Sequence, residues 1–483
     1  MSGSGPYWLV PGVPGKNPVS TNAQIPPMKG TKPMKIHQPD LSRSCHRLML
    51  MTRPGQIKVP NRLDQGDSHS VRLCQRILFV GSVGNSRGRT IMDYGDGTLS
   101  VWAGEQVPMW ERSTQVPIVQ SVSFGYRDID EWISVALGET PGHIYSRNTN
   151  PTVAVFEQRI AALERAEAAT SFATGMAAIS GTLHTLLGPG SRVVSVKDTY
   201  GGTTKLFLEF LPSIGVEVAL VDTDDHEAIE SSIAEGCDVL YLETPTNPTL
   251  KILDLERLAA AGHAVGAIVV VDNTFATPIN QRPLSLGADL VLHSATKFLG
   301  GHADALGGIV CGRSDLVGRI YHYREINGAT MDPFAAYLLL RSVKTLHLRV
   351  ERQNASALAI ARHLEGHPAI EAVFYPGLES HPNHDVAARQ MKGFGGVLSF
   401  SIRGGFDAVR AVLPRLELAH LAANLGAVET IVGPPATTSH VEMSAKEREE
   451  MGIPESLVRY STGIEDLADL IADLDQALEV VDQ

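Results

Sequence analysis

The run Ala-Ile-Val-Val-Val-Asp at 267–272, followed by Asn273 and Thr274, decides the fold of this sequence. Five apolar residues in succession, four of them β-branched, predict a short strand that is buried on both faces, as strands of parallel sheets are. The strand ends on a carboxylate, which is costly to bury without a partner. Asp272 is therefore either a turn residue that caps the next segment or an acid that faces a cationic heterocycle.

Short apolar runs of the same kind recur on both sides of this strand. The other runs that we predict as strands lie at 192–196, 216–221, 239–243 and 290–293. Amphipathic stretches that we predict as helices lie at 153–164 and 177–187. Helices that alternate with buried strands are typical of an α/β domain with a mainly parallel sheet.

Beyond residue 345 the pattern changes. A long helix is predicted at 348–364, an alternating strand at 396–401 and a final helix at 464–481. These elements predict a smaller α+β domain at 346–483, which follows a large domain at 151–345.

The first 90 residues differ from the rest in composition. They hold 13 lysines and arginines, three aspartates and no glutamate, and prolines interrupt any periodic apolar pattern. We predict that 1–90 is a disordered or non-native extension. Its composition resembles an organelle transit peptide. The simpler explanation is a start site placed too far upstream, with the folded protein beginning near Met92.

Composition and charge exclude several classes of protein. Of the 483 residues 43% are apolar, but no apolar run approaches the ~18 residues of a membrane helix. The net charge of −12 argues against a nucleic-acid partner. The four cysteines are scattered without C-x-x-C spacing, which suits a reducing compartment, so we predict a cytoplasmic protein. We predict no metal site, since the pair His381 and His384 lacks a third ligand at suitable spacing.

Three further segments carry reactive or anion-binding groups. The run Ser-Ala-Thr-Lys at 294–297 follows a predicted strand, where a desolvated lysine can form a Schiff base and hydroxyls can bind phosphate. Thr-Gly-Met at 174–176 opens a predicted helix and offers backbone N–H groups to an anion. Tyr200 follows another predicted strand and can stack on a flat ring.

Each of these segments also has an ordinary explanation. A surface loop accounts for 294–297, a common helix start for 174–176, and a side chain that caps the core for Tyr200. Together with Asp272 they provide a phosphate cradle, a stacking ring, a carboxylate for a pyridine nitrogen and a Schiff-base lysine. This set of groups is what a pyridoxal 5'-phosphate site requires.

Longer motifs extend this constellation along the chain. They are Tyr-Ser-Arg-Asn-Thr-Asn-Pro-Thr (145–152), Thr-Gly-Met (174–176), Tyr-Gly-Gly-Thr (200–203), Glu-Thr-Pro-Thr-Asn-Pro (243–248), Val-Asp-Asn-Thr (271–274), Ser-Ala-Thr-Lys (294–297) and Leu-Val-Arg-Tyr-Ser-Thr-Gly-Ile-Glu-Asp (457–466). In these motifs the chain resembles the Cys/Met-metabolism (trans-sulfuration) family of pyridoxal phosphate enzymes. That family includes cystathionine γ-synthases, cystathionine γ-lyases, methionine γ-lyases and O-acylhomoserine sulfhydrylases. The resemblance covers roughly residues 93–483, and the first 90 residues have no counterpart.

The resemblance implies a fold, a cofactor and an assembly. The fold is α/β and aspartate-aminotransferase-like (fold type I), with a mainly parallel sheet in the large domain and a smaller α+β C-terminal domain. The cofactor is pyridoxal 5'-phosphate. Residues 91–150 form an arm whose Tyr145 and Arg147 reach the phosphate in the neighbouring subunit. The protein is therefore expected to be a homo-oligomer, a tetramer built as a dimer of dimers, that binds a small-molecule amino-acid substrate.

The resemblance also implies roles for single residues. Lys297 is the Schiff-base lysine and carries protons along the substrate, and Asp272 pairs with the pyridine nitrogen. Tyr200 stacks on the ring and helps to protonate the leaving group. The residues expected to bind phosphate within the same subunit are Gly175, Met176, Ser294 and Thr296. The residues expected to bind the substrate are Asn247, Asn424 and Arg459, and Asn247 is expected to contact either the cofactor or the substrate carboxylate.

Three positions bear on the reaction. Cystathionine γ-lyases and γ-synthases typically have Glu-Ser where this chain has Ala423-Asn424, and many methionine γ-lyases have Cys where it has Gly202. We therefore predict γ-replacement on an O-acylated homoserine with a thiol or sulfide nucleophile. The alternative is a γ-lyase that forms 2-oxobutyrate and ammonia. A non-catalytic relative that only binds a cofactor or partner is a third possibility, and the presence of Lys297, Asp272 and Arg459 argues against it.

Overall fold

The computed structural model describes residues 94–105, 113–438, 441, 444–450 and 452–482. The extension predicted at 1–90 lies outside the described residues. The strands are β1 Ala168–Phe172, β2 Arg192–Val196, β3 Glu217–Val221, β4 Val239–Glu243, β5 Ile268–Asp272, β6 Leu290–Ser294, β7 Gly308–Gly312, β8 Ile370–Phe374, β9 Val397–Ile402, β10 His420–Leu421, β11 Ile431–Gly433 and β12 Leu457–Ser461. The α-helices are α1 Asp96–Trp102, α2 Ile129–Ala136, α3 Pro151–Glu164, α4 Gly175–Leu186, α5 Gly201–Lys205, α6 Leu211–Ser213, α7 His226–Ala234, α8 Leu255–Ala264, α9 Thr277–Asn280, α10 Ser314–Asn327, α11 Pro333–Val343, α12 Leu346–Glu365, α13 His384–Gln390, α14 Gly405–Val412, α15 Ala445–Glu450 and α16 Leu467–Leu478. Among these described helices, none combines the length and the apolar composition that crossing a membrane requires.

A mainly parallel sheet organises the described residues from β1 to β7. Its seven strands follow the order β1-β7-β6-β5-β4-β2-β3 within the part of the chain that the structure describes. β7 runs antiparallel to both of its neighbours, and the other pairs are parallel. The α/β prediction with a mainly parallel sheet is confirmed. The strands β1 and β7 were not predicted, since their small residues, as in Gly-Ile-Val-Cys-Gly at 308–312, have low strand propensity.

Helices cover both faces of this sheet. Val270 of β5 packs in one apolar cluster with Leu183 of α4, and Val269 and Val271 pack in another with Leu258 of α8. Side chains alternate between the two faces along a strand. Asp272 therefore lies on the face that α4 covers, the face of Val270, and this alternation decides which helix it meets.

A second, smaller sheet follows in the chain. In the described residues it has the order β10-β11-β12-β9-β8, and β9 pairs antiparallel with β8 and β12. The long helix α12 and the last helix α16 pack with these strands in one core cluster, through residues such as Ile360 and Leu474. The smaller α+β unit is thus confirmed, whereas the domain limits predicted at 150 and 345 stay predictions.

Candidate active site

The carboxyl ends of three neighbouring parallel strands meet at one edge of the large sheet. Glu243, Asp272 and Ser294 are the last residues of β4, β5 and β6. The register of β4 and β5 sets Glu243 beside Asp272. Ligands of open α/β sheets bind at this edge. Here the three residues border a cavity of about 420 Å³.

The Asp272 carboxylate is buried and held in one orientation. Its Oδ1 accepts the Thr274 backbone N–H at 3.0 Å, and its Oδ2 accepts the Tyr241 hydroxyl at 3.4 Å. Burial raises the pKa of Asp272, and hydrogen bonds from Thr274 and charge on His293 counteract part of this rise. A buried acid held in this way is suited to face a cationic atom of a ligand.

A cradle for an anion lies beside Asp272, where the start of α4 faces the end of β6. The side chain of Thr174 caps the helix by accepting a backbone N–H of its first turn at 3.0 Å. A Cβ on Gly175 would lie 2.7 Å from Cβ and Oγ of Ser294, so only glycine allows this close approach. Free N–H groups at a helix start and a neighbouring hydroxyl are the donors that phosphate prefers.

Lys297 lies in the turn that follows β6. Its Nζ donates a hydrogen bond to Asn424 Oδ1 at 2.7 Å, and its carbonyl accepts the Gly301 N–H at 2.7 Å. Burial lowers the pKa of Lys297 to about 8, with a smaller contribution from the positive charge of Arg459. An amine with this pKa is partly neutral near pH 7, so it can accept and return a proton.

A buried guanidinium approaches Lys297 from the second sheet. Arg459 of β12 donates to Asn247 Oδ1 at 2.9 Å and to the Asn424 carbonyl at 3.1 Å. It is 8% exposed, and burial lowers its pKa to about 10. Neither of these partners is charged, so the guanidinium can still bind a carboxylate with two hydrogen bonds.

The ring of Tyr200 stands at the rim of the cavity. Its backbone N–H donates to Glu243 Oε2 at 2.9 Å, which ties the start of α5 to the end of β4. A Cβ on Gly202 would lie 2.9 Å from Tyr200 Cε1 and 3.0 Å from Met176 Sδ. Tyr200 is 44% exposed, so its side chain is accessible to a ligand.

Nine of the twelve predicted site residues line the cavity. They are Gly175, Met176, Tyr200, Asn247, Asp272, Ser294, Thr296, Lys297 and Arg459. Asn424 joins them through its hydrogen bond to Lys297. Tyr145 and Arg147 do not line it; the Arg147 guanidinium lies 5.2 Å from the centre of the Tyr145 ring instead. Their predicted contact with a neighbouring subunit stays a prediction.

Several residues that line the cavity had no role predicted from the sequence. Glu243 is the most notable, because it ends an apolar strand as Asp272 does, and the same signal would have identified it. Five others gave no signal in the sequence: Ile179, Phe275, Leu306, Leu425 and Thr438. Together with Ala423, which already differs from its counterpart in many relatives, we call them the outer wall. They come together only through the packing of distant segments.

Comparisons with known proteins agree with this geometry. A family model described as Cys/Met metabolism PLP-dependent enzyme matches residues 97–479. The chain is 42% identical over 391 residues to an L-methionine gamma-lyase of Fusobacterium nucleatum subsp. polymorphum, covering 80% of this chain and 99% of that protein. It is 40% identical over 382 residues to an O-succinylhomoserine sulfhydrylase of Pseudomonas aeruginosa, covering 79% and 94%. It also resembles the crystal structure of a cystathionine gamma synthase from Xanthomonas oryzae pv. oryzae in complex with aminoacrylate and cysteine, with a TM-score of 0.76, 37% identity, and coverage of 80% and 99%.

Proposed function

Because the chain belongs to the Cys/Met metabolism family of pyridoxal phosphate-dependent enzymes, we propose that it catalyses γ-replacement on an O-acylated homoserine. A thiol or sulfide is the nucleophile. The Cγ–O bond of the substrate breaks, a Cγ–S bond forms, and the acyl group leaves as a carboxylic acid with the proton of the thiol. The product is a thioether or homocysteine.

The residues at the strand ends fit the cofactor. Bound pyridoxal phosphate supplies an electron sink that makes the α- and β-hydrogens of an amino acid acidic. The cradle in which a Cβ at position 175 would strike Ser294 supports a phosphate site. The residues that would hold the phosphate are Gly175, Met176, Ser294 and Thr296. Asp272 would keep the pyridine nitrogen protonated, Tyr200 would stack on the ring, and Lys297 would attach the cofactor.

The substrate is held and deprotonated by residues that meet around Lys297. Arg459 binds the α-carboxylate with two hydrogen bonds, and Asn247 orients the guanidinium through the contact at 2.9 Å. The Lys297 amine, whose pKa is lowered to about 8, takes a proton from one carbon of the substrate and returns it at another. Asn424, at 2.7 Å from Nζ, restrains that amine. Tyr200 gives a proton to the leaving group from the rim.

The outer wall of the cavity is the observation that carries the proposal of replacement on an acyl ester. Ala423, Leu425 and Leu306 line it, and none of these described residues is charged. Where relatives that act on cystathionine or cysteine typically have a glutamate, this chain has Ala423, so no carboxylate at that position binds a second amino group. The wall suits the acyl group of an O-acylhomoserine and a small nucleophile such as sulfide.

Elimination is the second candidate. The similarity to an L-methionine gamma-lyase favours it. Gly202 argues against a dedicated methionine γ-lyase, because many of those enzymes have Cys there. In this chain a Cβ at 202 would lie 2.9 Å from the Tyr200 ring, so a Cys would have to displace that ring.

A product assay on the full-length, cofactor-loaded protein tests the proposal. O-acetylhomoserine and O-succinylhomoserine are supplied with and without sulfide or cysteine, and methionine and cystathionine are supplied separately. We expect a thioether or homocysteine that forms only when the nucleophile is present. Keto acid formed without any nucleophile, with no thioether when one is added, would make the enzyme a γ-lyase. Lys297→Ala is expected to abolish turnover, whereas Lys392→Ala, whose side chain is 67% exposed, is the matched control.

We further propose that Tyr145 and Arg147 complete the site of a neighbouring subunit, so that the smallest active unit is a dimer and the full assembly a tetramer. The accessible ring of Tyr145 supports this. Co-expressed Arg147→Ala and Lys297→Ala subunits are expected to recover activity that neither variant has alone, because one site of each mixed dimer is intact. No recovery of activity in purified mixed dimers would contradict this proposal.

We propose a cytoplasmic location as well, because Cys237 and Cys311 are free thiols. Cell fractionation tests it.

A further inference from the structure

Glu243 and Asp272 form a pair of buried carboxylates at the sheet edge. They are register partners on adjacent parallel strands, so their side chains leave the sheet on the same face, about 5 Å apart at the backbone. Both line the cavity, and they are 4% and 7% exposed. Two carboxylates this close in a buried site cannot both be ionised at low cost.

The surroundings of the two acids are unequal. Asp272 receives the Tyr241 hydroxyl and the Thr274 N–H, and charge on His293 favours its ionised form. Glu243 accepts the backbone N–H groups of Tyr200 and Asn247, which lower its pKa in part, but it faces the carboxylates of both Asp272 and Asp198, which raise it.

This inequality favours the negative charge on Asp272. Burial and the charge of Asp272 raise the pKa of Glu243 well above its usual range. The cations Lys297 and Arg459 line the same cavity but form no ion pair with either acid in the described structure. With a hydroxyl and an N–H as donors, Asp272 is the better placed of the two acids to stay ionised.

We propose that Glu243 is a positioning residue that works as a neutral carboxylic acid: its Oε2 holds the Tyr200 backbone in place, and its lack of charge leaves Asp272 as the single anion of the pair. The hydrogen bond at 2.9 Å places the Tyr200 ring at the rim, and an ionised Glu243 would compete with Asp272 for the cation of a ligand. The inference rests on the proposed contacts of Asp272 and Tyr200 with the cofactor and holds for replacement and elimination alike.

Three substitutions of Glu243 distinguish a neutral from a charged side chain at this position. Glu243→Gln keeps the shape and the acceptor oxygen, so we expect kcat within about threefold of the wild type. Glu243→Ala removes the anchor of Tyr200, and Glu243→Asp withdraws it by one methylene. Both are expected to lower kcat about 10- to 100-fold with a smaller effect on KM, as a misplaced catalytic group does. A fall of Glu243→Gln to the level of Glu243→Ala would overturn the proposal.

The proton itself is measured independently of turnover. The infrared band of a protonated, deuterium-sensitive carboxyl group is expected in the wild-type enzyme at neutral pH and is expected to vanish in Glu243→Gln.

Thermal stability gives a second measure of the same proton. When folding raises the pKa of a carboxyl group, its contribution to the stability of the folded protein is lost as the pH rises above the pKa of the unfolded chain, about 4.3. The thermal midpoint of Glu243→Gln is therefore expected to exceed that of the wild type by a margin that grows from pH 5 to pH 8.

A matched control and a clear failure complete the test. Glu256→Gln alters an exposed glutamate of α8 and is expected to change neither the infrared band nor the pH dependence of the midpoint. An infrared band that persists in Glu243→Gln would place the proton elsewhere and refute the inference. That outcome leaves the proposed reaction untouched, whereas a failed product assay leaves the band and the stability test unaffected.

Discussion

Gly175→Ala is the substitution whose effect follows most directly from the geometry. The new methyl group would lie 2.7 Å from Cβ and Oγ of Ser294. Carbon atoms in contact prefer a separation of about 3.5–4.0 Å, so either the start of α4 or the end of β6 must move by about 1 Å. A shift of this size breaks a hydrogen bond between either element and a bound phosphate.

The size of the effect can be worked out from that lost contact. A hydrogen bond to a charged group is worth about 1.5–3 kcal/mol. Since 1.4 kcal/mol is a factor of ten, the Kd of pyridoxal phosphate is expected to rise about 10- to 100-fold. Overpacking by the extra methyl group also lowers the free energy of unfolding by about 1–3 kcal/mol. This loss is small enough that the variant is still expected to fold.

The assay is a titration of the cofactor-free protein with pyridoxal phosphate, followed by absorbance. Gly188→Ala is the matched control, because a Cβ at 188 meets nothing within 4 Å. We expect it to bind the cofactor as the wild type does. A Gly175→Ala protein with an affinity within threefold of the wild type would refute the cradle between α4 and β6.

Three further predictions concern the residues around Lys297. Arg459→Lys keeps the positive charge but loses the bidentate hydrogen bonding of the guanidinium. KM for the amino-acid substrate is therefore expected to rise about 10- to 100-fold at unchanged cofactor affinity. An unchanged KM would exclude Arg459 as the binding site of the substrate carboxylate. In the cofactor-free protein, acylation of Lys297 measured by mass spectrometry is expected to increase with pH around a midpoint of about 8. Arg459→Gln should move that midpoint upward, because the charge of Arg459 lowers the pKa of Lys297. A midpoint near that of a model lysine peptide, about 10.4, would contradict this. Ala423→Glu places a negative charge on the outer wall. It is expected to reduce kcat/KM about tenfold more for O-succinylhomoserine than for O-acetylhomoserine, because the new carboxylate repels the carboxylate of the succinyl group. Equal losses of kcat/KM for the two substrates would show that Ala423 does not lie near the leaving group.

Much of the large sheet could be predicted because the apolar, β-branched composition of its strands identifies them in the sequence. The β-branched run of β5 is buried on both faces, as its composition predicts, and the helix predicted at 153–164 is α3, which begins at Pro151 after the cap Asn150. β12 was not predicted as a strand. It carries Arg459 in its centre, and a buried charge in mid-strand is accepted only because Asn247 and the Asn424 carbonyl receive its hydrogen bonds.

By itself the sequence determined the local elements and the chemistry at their ends: an acid after one apolar strand, a lysine after the next, and a glycine at a helix start. Only the tertiary structure decided which of these groups meet. Lys297 contacts Asn424, 127 residues away, and Arg459 contacts Asn247, 212 residues away, since the second sheet brings them to the edge of the first. The pairing of Glu243 with Asp272 likewise depends on the register of two strands. Local propensity acts over a few residues, whereas hydrogen bonds and the sharing of a proton depend on distances of a few ångströms that packing alone sets.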